Sequence, residues 1–176
     1  MGLSQAESDA ITPTLYADFR AVAERVFASE RRGHTLQPTA VVNEACMRLM
    51  ASGLPALPRE QQLALAARVF RQVLIDHARA RDAQKRGGGV LKLDIEHAEV
   101  AEQGTVVDFD AIQQAMEKLR SRSERQAEVV TLRIYAGMTM EQIALVLGVS
   151  SRTAEGDWAV ARAWLRRELA KSGAGR

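Results

Sequence analysis

Apolar residues recur along this chain at helical spacing, in two series separated by a stretch without a sustained period. In the first series Leu15, Phe19, Val22, Val26 and Phe27 predict a helix over about 13–30, opened by Thr12-Pro13 as cap and first helical residue. Gly33 and Pro38 punctuate the following turn. Val41, Val42, Ala45, Leu49 and Met50 predict a second helix over about 39–51, and the break SGLPALP at 52–58 ends it. A longer helix is expected over about 60–86. Leu63, Ala66, Phe70, Leu74 and His77 or Ala78 fall on one of its sides, and Arg68, Arg79 and Arg86 near the opposite one. Three such helices can bury a common core.

Gly87-Gly88-Gly89 stops that helix, because glycine supplies backbone freedom and no packing. VLKLDI at 90–95 has the composition of a short strand, but an isolated strand has nothing to pair with, so 87–108 reads as an acidic flexible tether. Helical signals resume over about 110–119. Ser121 or Ser123 caps the next helix, to about Tyr135, with Ser121 and Glu124 at capping-box spacing. Ala136-Gly137 is a turn, and Thr139 and Gln142 repeat the box before a short helix ending near Leu147. Gly148 breaks it, and Ser150 or Ser151 caps a last helix to about Lys171. The fold class expected is all-α: two small helical domains joined by an acidic flexible linker.

Residues 139–154, TMEQIALVLGVSSRTA, form the strongest local pattern. Ile143, Ala144 and Leu147 would point inward, Gly148 permits a tight turn, and Val149 plugs the corner between two helices. Ala144 is small where steeply crossing helices must touch. A serine then starts a helix whose outer side can enter a major groove, so the pattern predicts a DNA-binding helix-turn-helix. On that last helix Ala154, Trp158, Ala161, Leu165 and Leu169 share one side, and Arg152, Glu155, Gly156, Ala159, Ala163 and Arg166 the other. Arg152 and Arg166 can meet phosphate or a base edge, and Thr153 can add a phosphate contact at the helix start. Glu155 is repelled by phosphate unless it accepts from a cytosine amine, and Gly156 and Ala159 contribute little. The reading surface is weak.

Composition narrows the class. The 176 residues are 47% apolar and only 5% aromatic, which favours helices and leaves room for one domain or two small ones. The net charge of +2 conceals blocks. Arg68, Arg71, Arg79, Arg81, Lys85 and Arg86 stand against Asp76 and Asp82; from Gly87 to Glu117 only Lys92 opposes seven acids; Lys118, Arg120, Arg122, Arg125 and Arg133 follow. Two basic blocks around an acidic spacer suit a protein that meets a polyanion at two places, although two solvated domains with a charged linker would look the same. A single cysteine, Cys46, excludes an intramolecular disulfide. With no apolar run of membrane-spanning length and no signal-peptide pattern, the expectation is a cytoplasmic protein without membrane insertion.

Catalytic chemistry finds no support. His34, His77 and His97 are scattered, Cys46 has no second cysteine, and no metal-ligand spacing is present. Asp76 and His77 are adjacent, so on a helix they point about 100° apart and form no ready dyad. The glycine triplet lacks the Lys-Ser/Thr of a phosphate loop. Trp158 and Trp164 read as core or interface aromatics. No enzyme activity, cofactor or metal is expected.

Together, GHTLQPTA (33–40), ALAAR (64–68), IDHAR (75–79), KRGGG (85–89), RQAEVV (125–130), LVLGVS (145–150) and DWAVARAWL (157–165) resemble bacterial extracytoplasmic-function sigma factors of the sigma-70 superfamily, in the group carrying GHTLQPTA and DHAR. The resemblance covers about 12–171. It implies that 12–86 is a region 2 domain, which binds the clamp helices of the polymerase beta-prime subunit and opens the −10 element. Residues 109–171 would be region 4, contacting the −35 element and the beta flap, with the acidic linker 87–108 threading toward the RNA exit path. Polymerase binding would fall to Thr39, Val42, Glu44 and Arg48. The −10 contacts would fall to Arg68, Arg71, Arg79, Lys85 and Arg86, and the −35 contacts to Arg152, Thr153, Glu155, Gly156, Ala159 and Arg166. Core RNA polymerase and promoter DNA are the implied partners, with room for an anti-sigma factor or a Ser/Thr kinase.

The chain departs from the family pattern twice. Such sigmas commonly open the polymerase-binding helix with an acidic patch, where this chain has Gln37-Pro38-Thr39-Ala40. Phosphorylation of Thr39 would supply the missing anion; the plainer reading makes Thr39 an N-cap. Close relatives also carry basic residues where this chain has Glu155, Gly156 and Ala159, which implies weak DNA binding by the isolated protein. Two alternatives stay open: a dimeric helix-turn-helix regulator that never joins polymerase, and a sigma-like protein that acts through protein contacts without productive promoter recognition.

Overall fold

The computed structural model describes residues 16–18, 20–21, 38–50, 57–84, 92–94 and 106–173. Most of the helix expected over 13–30 lies outside them, with Leu15, Phe19, Val22, Val26 and Phe27. Residues 16–18 and 20–21 are helical. Tyr16 donates to Asn43 Oδ1 at 3.3 Å, and Asp18 pairs with Arg59 at 2.7 Å. Helix α1 (Pro38–Met50) starts at Pro38, whose fixed φ and missing N–H suit a first helical position. Thr39 therefore sits inside the first turn, which corrects its reading as an N-cap. Helix α2 spans Arg59–Gln84 and packs along α1. Val41, Val42, Ala45, Cys46 and Leu49 are buried on α1, as are Leu63, Ala66, Phe70, Leu74 and Ala78 on α2, in the stripes that periodicity predicts.

The short strand does find a partner. β1 (Lys92–Asp94) pairs antiparallel with β2 (Val106–Asp108), Lys92 opposite Asp108 and Asp94 opposite Val106. This corrects the expectation of an unpaired strand: the partner comes from the far end of the same acidic segment. The chain enters α3 (Phe109–Arg122) directly, with Asp108 accepting from Asp110 N at 3.0 Å as N-cap. Helix α4 (Glu124–Ala136) is capped by Ser123, whose Oγ accepts from Gln126 N. Ser121 is not the cap; it lies within α3 and donates to the Lys118 carbonyl at 2.8 Å. Gly137 closes α4 at φ 64°. Helices α5 (Met140–Leu147) and α6 (Ser151–Gly173) complete the described chain.

Helices α3, α4, α5 and α6 pack on one another, and α2 lies against both α4 and α5. The buried residues of the two helical groups thus form one continuous apolar cluster. A narrow apolar crevice marks the junction, lined by Ala45, Leu49, Leu63, Ala66 and Phe70 on one side and by Tyr135 and Ala136 on the other.

Candidate nucleic-acid interface

The helix-turn-helix is built from local bonds that the sequence already specifies. Thr139 Oγ1 accepts from Gln142 N at 3.3 Å, and Gln142 Oε1 accepts from Thr139 N at 2.9 Å, so the capping box is complete. Gly148 takes φ 64°, the left-handed conformation that ends α5, and Val149 N donates back to the Ala144 carbonyl at 3.0 Å. Ser150 Oγ then accepts from Thr153 N at 3.1 Å and starts α6. The Thr153 hydroxyl is bonded to Ser150 Oγ at 2.8 Å, so it serves the cap first. Ala154, Trp158, Ala161 and Leu165 face inward. Asp157, 7% exposed, pairs with Arg125 and accepts from Gln126, both on α4, which fixes the roll of α6. Arg152, Glu155, Gly156, Ala159, Ala163 and Arg166 are all exposed along the opposite side. Among the described residues, neither Arg152 nor Arg166 is ion-paired.

On α1 the expected polymerase-binding residues divide. Thr39 is exposed in a first turn that holds no acidic residue. Val42 is 1% exposed and packs into the core, so it supports the helix rather than touching a partner. Glu44 accepts from Arg48 at 2.7 Å and bonds His77 Nε2 at 2.8 Å; Arg48 also donates to Asp76 at 2.8 Å. Arg48, and after it Gln72, hold the Asp76 carboxyl below the usual carboxylate range. Asp76 and His77 thus turn to different partners, as their spacing requires, and together they staple α1 to α2. Glu44 and Arg48 are visible as a pair four residues apart; nothing local connects them to Asp76 and His77.

The α2 arginines are not one open surface. Arg68 pairs with Glu128 of α4 at 2.5 Å. Arg71 is 7% exposed and pairs with Glu117 of α3 at 3.0 Å. Arg71, which the resemblance gives to the −10 contacts, is instead buried where α4 packs along α2 and Glu117 meets it. Arg79 is exposed, and Lys85 and Arg86 lie outside the described residues. Beside Arg71, Gln113 Nε2 donates to the buried Tyr135 hydroxyl at 3.0 Å. Arg71 Nε and Gln113 Oε1 are buried without a hydrogen-bond partner.

A family model described as ECF sigma factor matches residues 3–171. The chain belongs to the ECF sigma factor family. No curated protein and no solved structure matches it. Sigma factors direct RNA polymerase to promoters and catalyse nothing alone, and that is the general function of this chain. Among the described residues, no group of three or more His, Cys, Asp or Glu side chains is placed to hold a metal, and no helix is long and apolar enough to cross a membrane.

Proposed function

We propose that this ECF sigma factor divides promoter recognition between its two helical groups. Residues 12–86 bind the beta-prime clamp helices and open the −10 element; residues 109–171 read the −35 element and meet the beta flap. The observation that carries the reading is α6: a helix locked by Asp157 to α4, with its Arg152–Arg166 side exposed from end to end. Glu44 and Arg48 would meet the clamp, and the exposed Arg68 and Arg79 would contact phosphates of the −10 strand. Run-off transcription with core polymerase over a library of promoter fragments tests this. Discrete starts that depend on the protein are expected; their absence, with core polymerase and protein co-eluting, would refute promoter reading.

One feature favours a second reading. Glu155, Gly156 and Ala159 occupy the middle of the exposed side of α6, where a strong duplex reader needs donors. A sigma-like protein acting through polymerase contacts alone fits that surface, and polymerase binding without starts would select it.

The exposed Thr39, in a helix first turn without acids, is the proposed site for a phosphoryl group that supplies the missing anion to the polymerase-binding helix. Thr39→Ala should lose activity in cells and Thr39→Glu should restore part of it. Full activity of Thr39→Ala would remove the proposal.

A further inference from the structure

We infer that Asp76 and His77 of α2 are positioning residues for polymerase binding: they hold Arg48 and Glu44 of α1 in the arrangement that meets core polymerase. The inference rests on the reading of Glu44 and Arg48 as clamp contacts, and its test separates a failure of one from a failure of the other.

Glu44 and Arg48 stand four residues apart, so an isolated α1 would pair them only weakly, each long side chain free to turn away. The structure fixes both. One terminal nitrogen of Arg48 donates to Glu44 Oε1 at 2.7 Å, and the other to Asp76 Oδ2 at 2.8 Å. The second Glu44 oxygen is bonded to His77 Nε2 at 2.8 Å, and Gln72 Nε2 donates to the second Asp76 oxygen at 2.9 Å. These bonds form an unbroken chain, Gln72–Asp76–Arg48–Glu44–His77, in which each link uses a different atom of the residue it reaches. Both ends of that chain are anchored on α2, which the apolar core holds against α1. Asp76 and His77, about 100° apart on α2, make a fork that grips two residues one turn apart on α1.

Fixing these heads does little for the fold. Val41, Val42, Ala45, Cys46 and Leu49 on α1 and Leu63, Phe70, Val73 and Leu74 on α2 are buried and already join the two helices. The Arg48 and Asp76 side chains are 40% and 39% exposed, and ion pairs so open to water add little stability. What the network supplies is order in advance. A rotamer-rich side chain immobilised only on binding weakens a complex about two- to tenfold, and both heads here are held beforehand. The two Arg48 bonds leave further guanidinium N–H groups, and each Glu44 oxygen keeps a second lone pair, so both heads can still bond a partner.

The test measures the affinity of the full chain for core polymerase from the same organism, by competition against fluorescently labelled parent protein. Asp76→Ala and His77→Leu should each weaken binding about two- to tenfold, at a urea midpoint close to that of the parent. Neither should cost more where its target is already gone. Asp76→Ala added to Arg48→Ala, or His77→Leu added to Glu44→Ala, should bind as the single α1 variant does. His77→Gln, whose amide can donate to Glu44 in place of the ring, should keep most of the parent affinity. A network that only supports the fold would give losses that follow the urea midpoint and no rescue by glutamine, and that result overturns the inference. An additive loss in either double variant also overturns it, because Asp76 or His77 would then act on polymerase independently of α1. Parent-like binding by Asp76→Ala and His77→Leu, with Arg48→Ala and Glu44→Ala weakened, overturns it and leaves the clamp reading standing. Parent-like binding by Arg48→Ala and Glu44→Ala refutes the clamp reading, and the inference with it.

Discussion

Gly156 lies amid the exposed side of α6, and a Cβ built there meets nothing within 4 Å. A glycine in a helix interior loses backbone entropy with no packing in return. Gly156→Ala should therefore raise stability by about 0.5–1 kcal/mol, read as a higher urea midpoint at unchanged slope. Gly148 has equally open surroundings but φ +64°, so the same substitution there should lower stability by about 1–2 kcal/mol. Backbone conformation alone sets the opposite signs. Tyr135 supplies a pH signature. Burial pushes its hydroxyl up to about 12, against smaller opposing effects of Arg71 and Gln113. Its folded pKa exceeds the unfolded one, so the stability it lends is complete below pH about 10 and is lost as pH climbs through about 12. The loss is about 2–3 kcal/mol. Cys46, raised by burial to about 11, begins a similar loss lower on the scale. Urea titrations across this range should show the upper part of the decline vanish in Tyr135→Phe.

Among the helices, caps decide where each begins. Ser123 satisfies the Gln126 N–H at the start of α4, whereas the Ser121 hydroxyl only bonds a carbonyl one turn back in α3. Ser123→Ala should cost about 1 kcal/mol of unfolding free energy, and Ser121→Ala only a few tenths. Equal losses would show that α3 and α4 are not separated at Ser123. The sequence offers both serines at plausible positions; the direction of α4, set by its packing on α3 and α6, selects between them.

For the whole molecule, one apolar cluster runs through both helical groups. Heating the parent protein at low salt should therefore give a single cooperative transition by circular dichroism. Ala136→Gln, which disturbs the seam and neither group's interior, should split or broaden it. A split transition in the parent would mean that the groups fold independently and that the seam couples them too weakly to matter.

The sequence by itself determined the helices over 38–50, 59–84 and 109–173 and, among them, the helix-turn-helix. Each of those rests on neighbours a few positions apart: the Thr139–Gln142 box, the left-handed Gly148, and the Ala154–Trp158–Ala161–Leu165 stripe. Tertiary structure alone decided that Lys92–Asp94 pairs with Val106–Asp108, that Asp76 and His77 face Arg48 and Glu44, and that Arg71 is buried on Glu117. Periodicity assigned Arg68 and Arg79 to one side of α2, but a side read from one helix does not say what docks on it. Pairing between distant charges leaves no mark on either local stretch, because a guanidinium that binds a phosphate and one that binds a glutamate look identical in sequence.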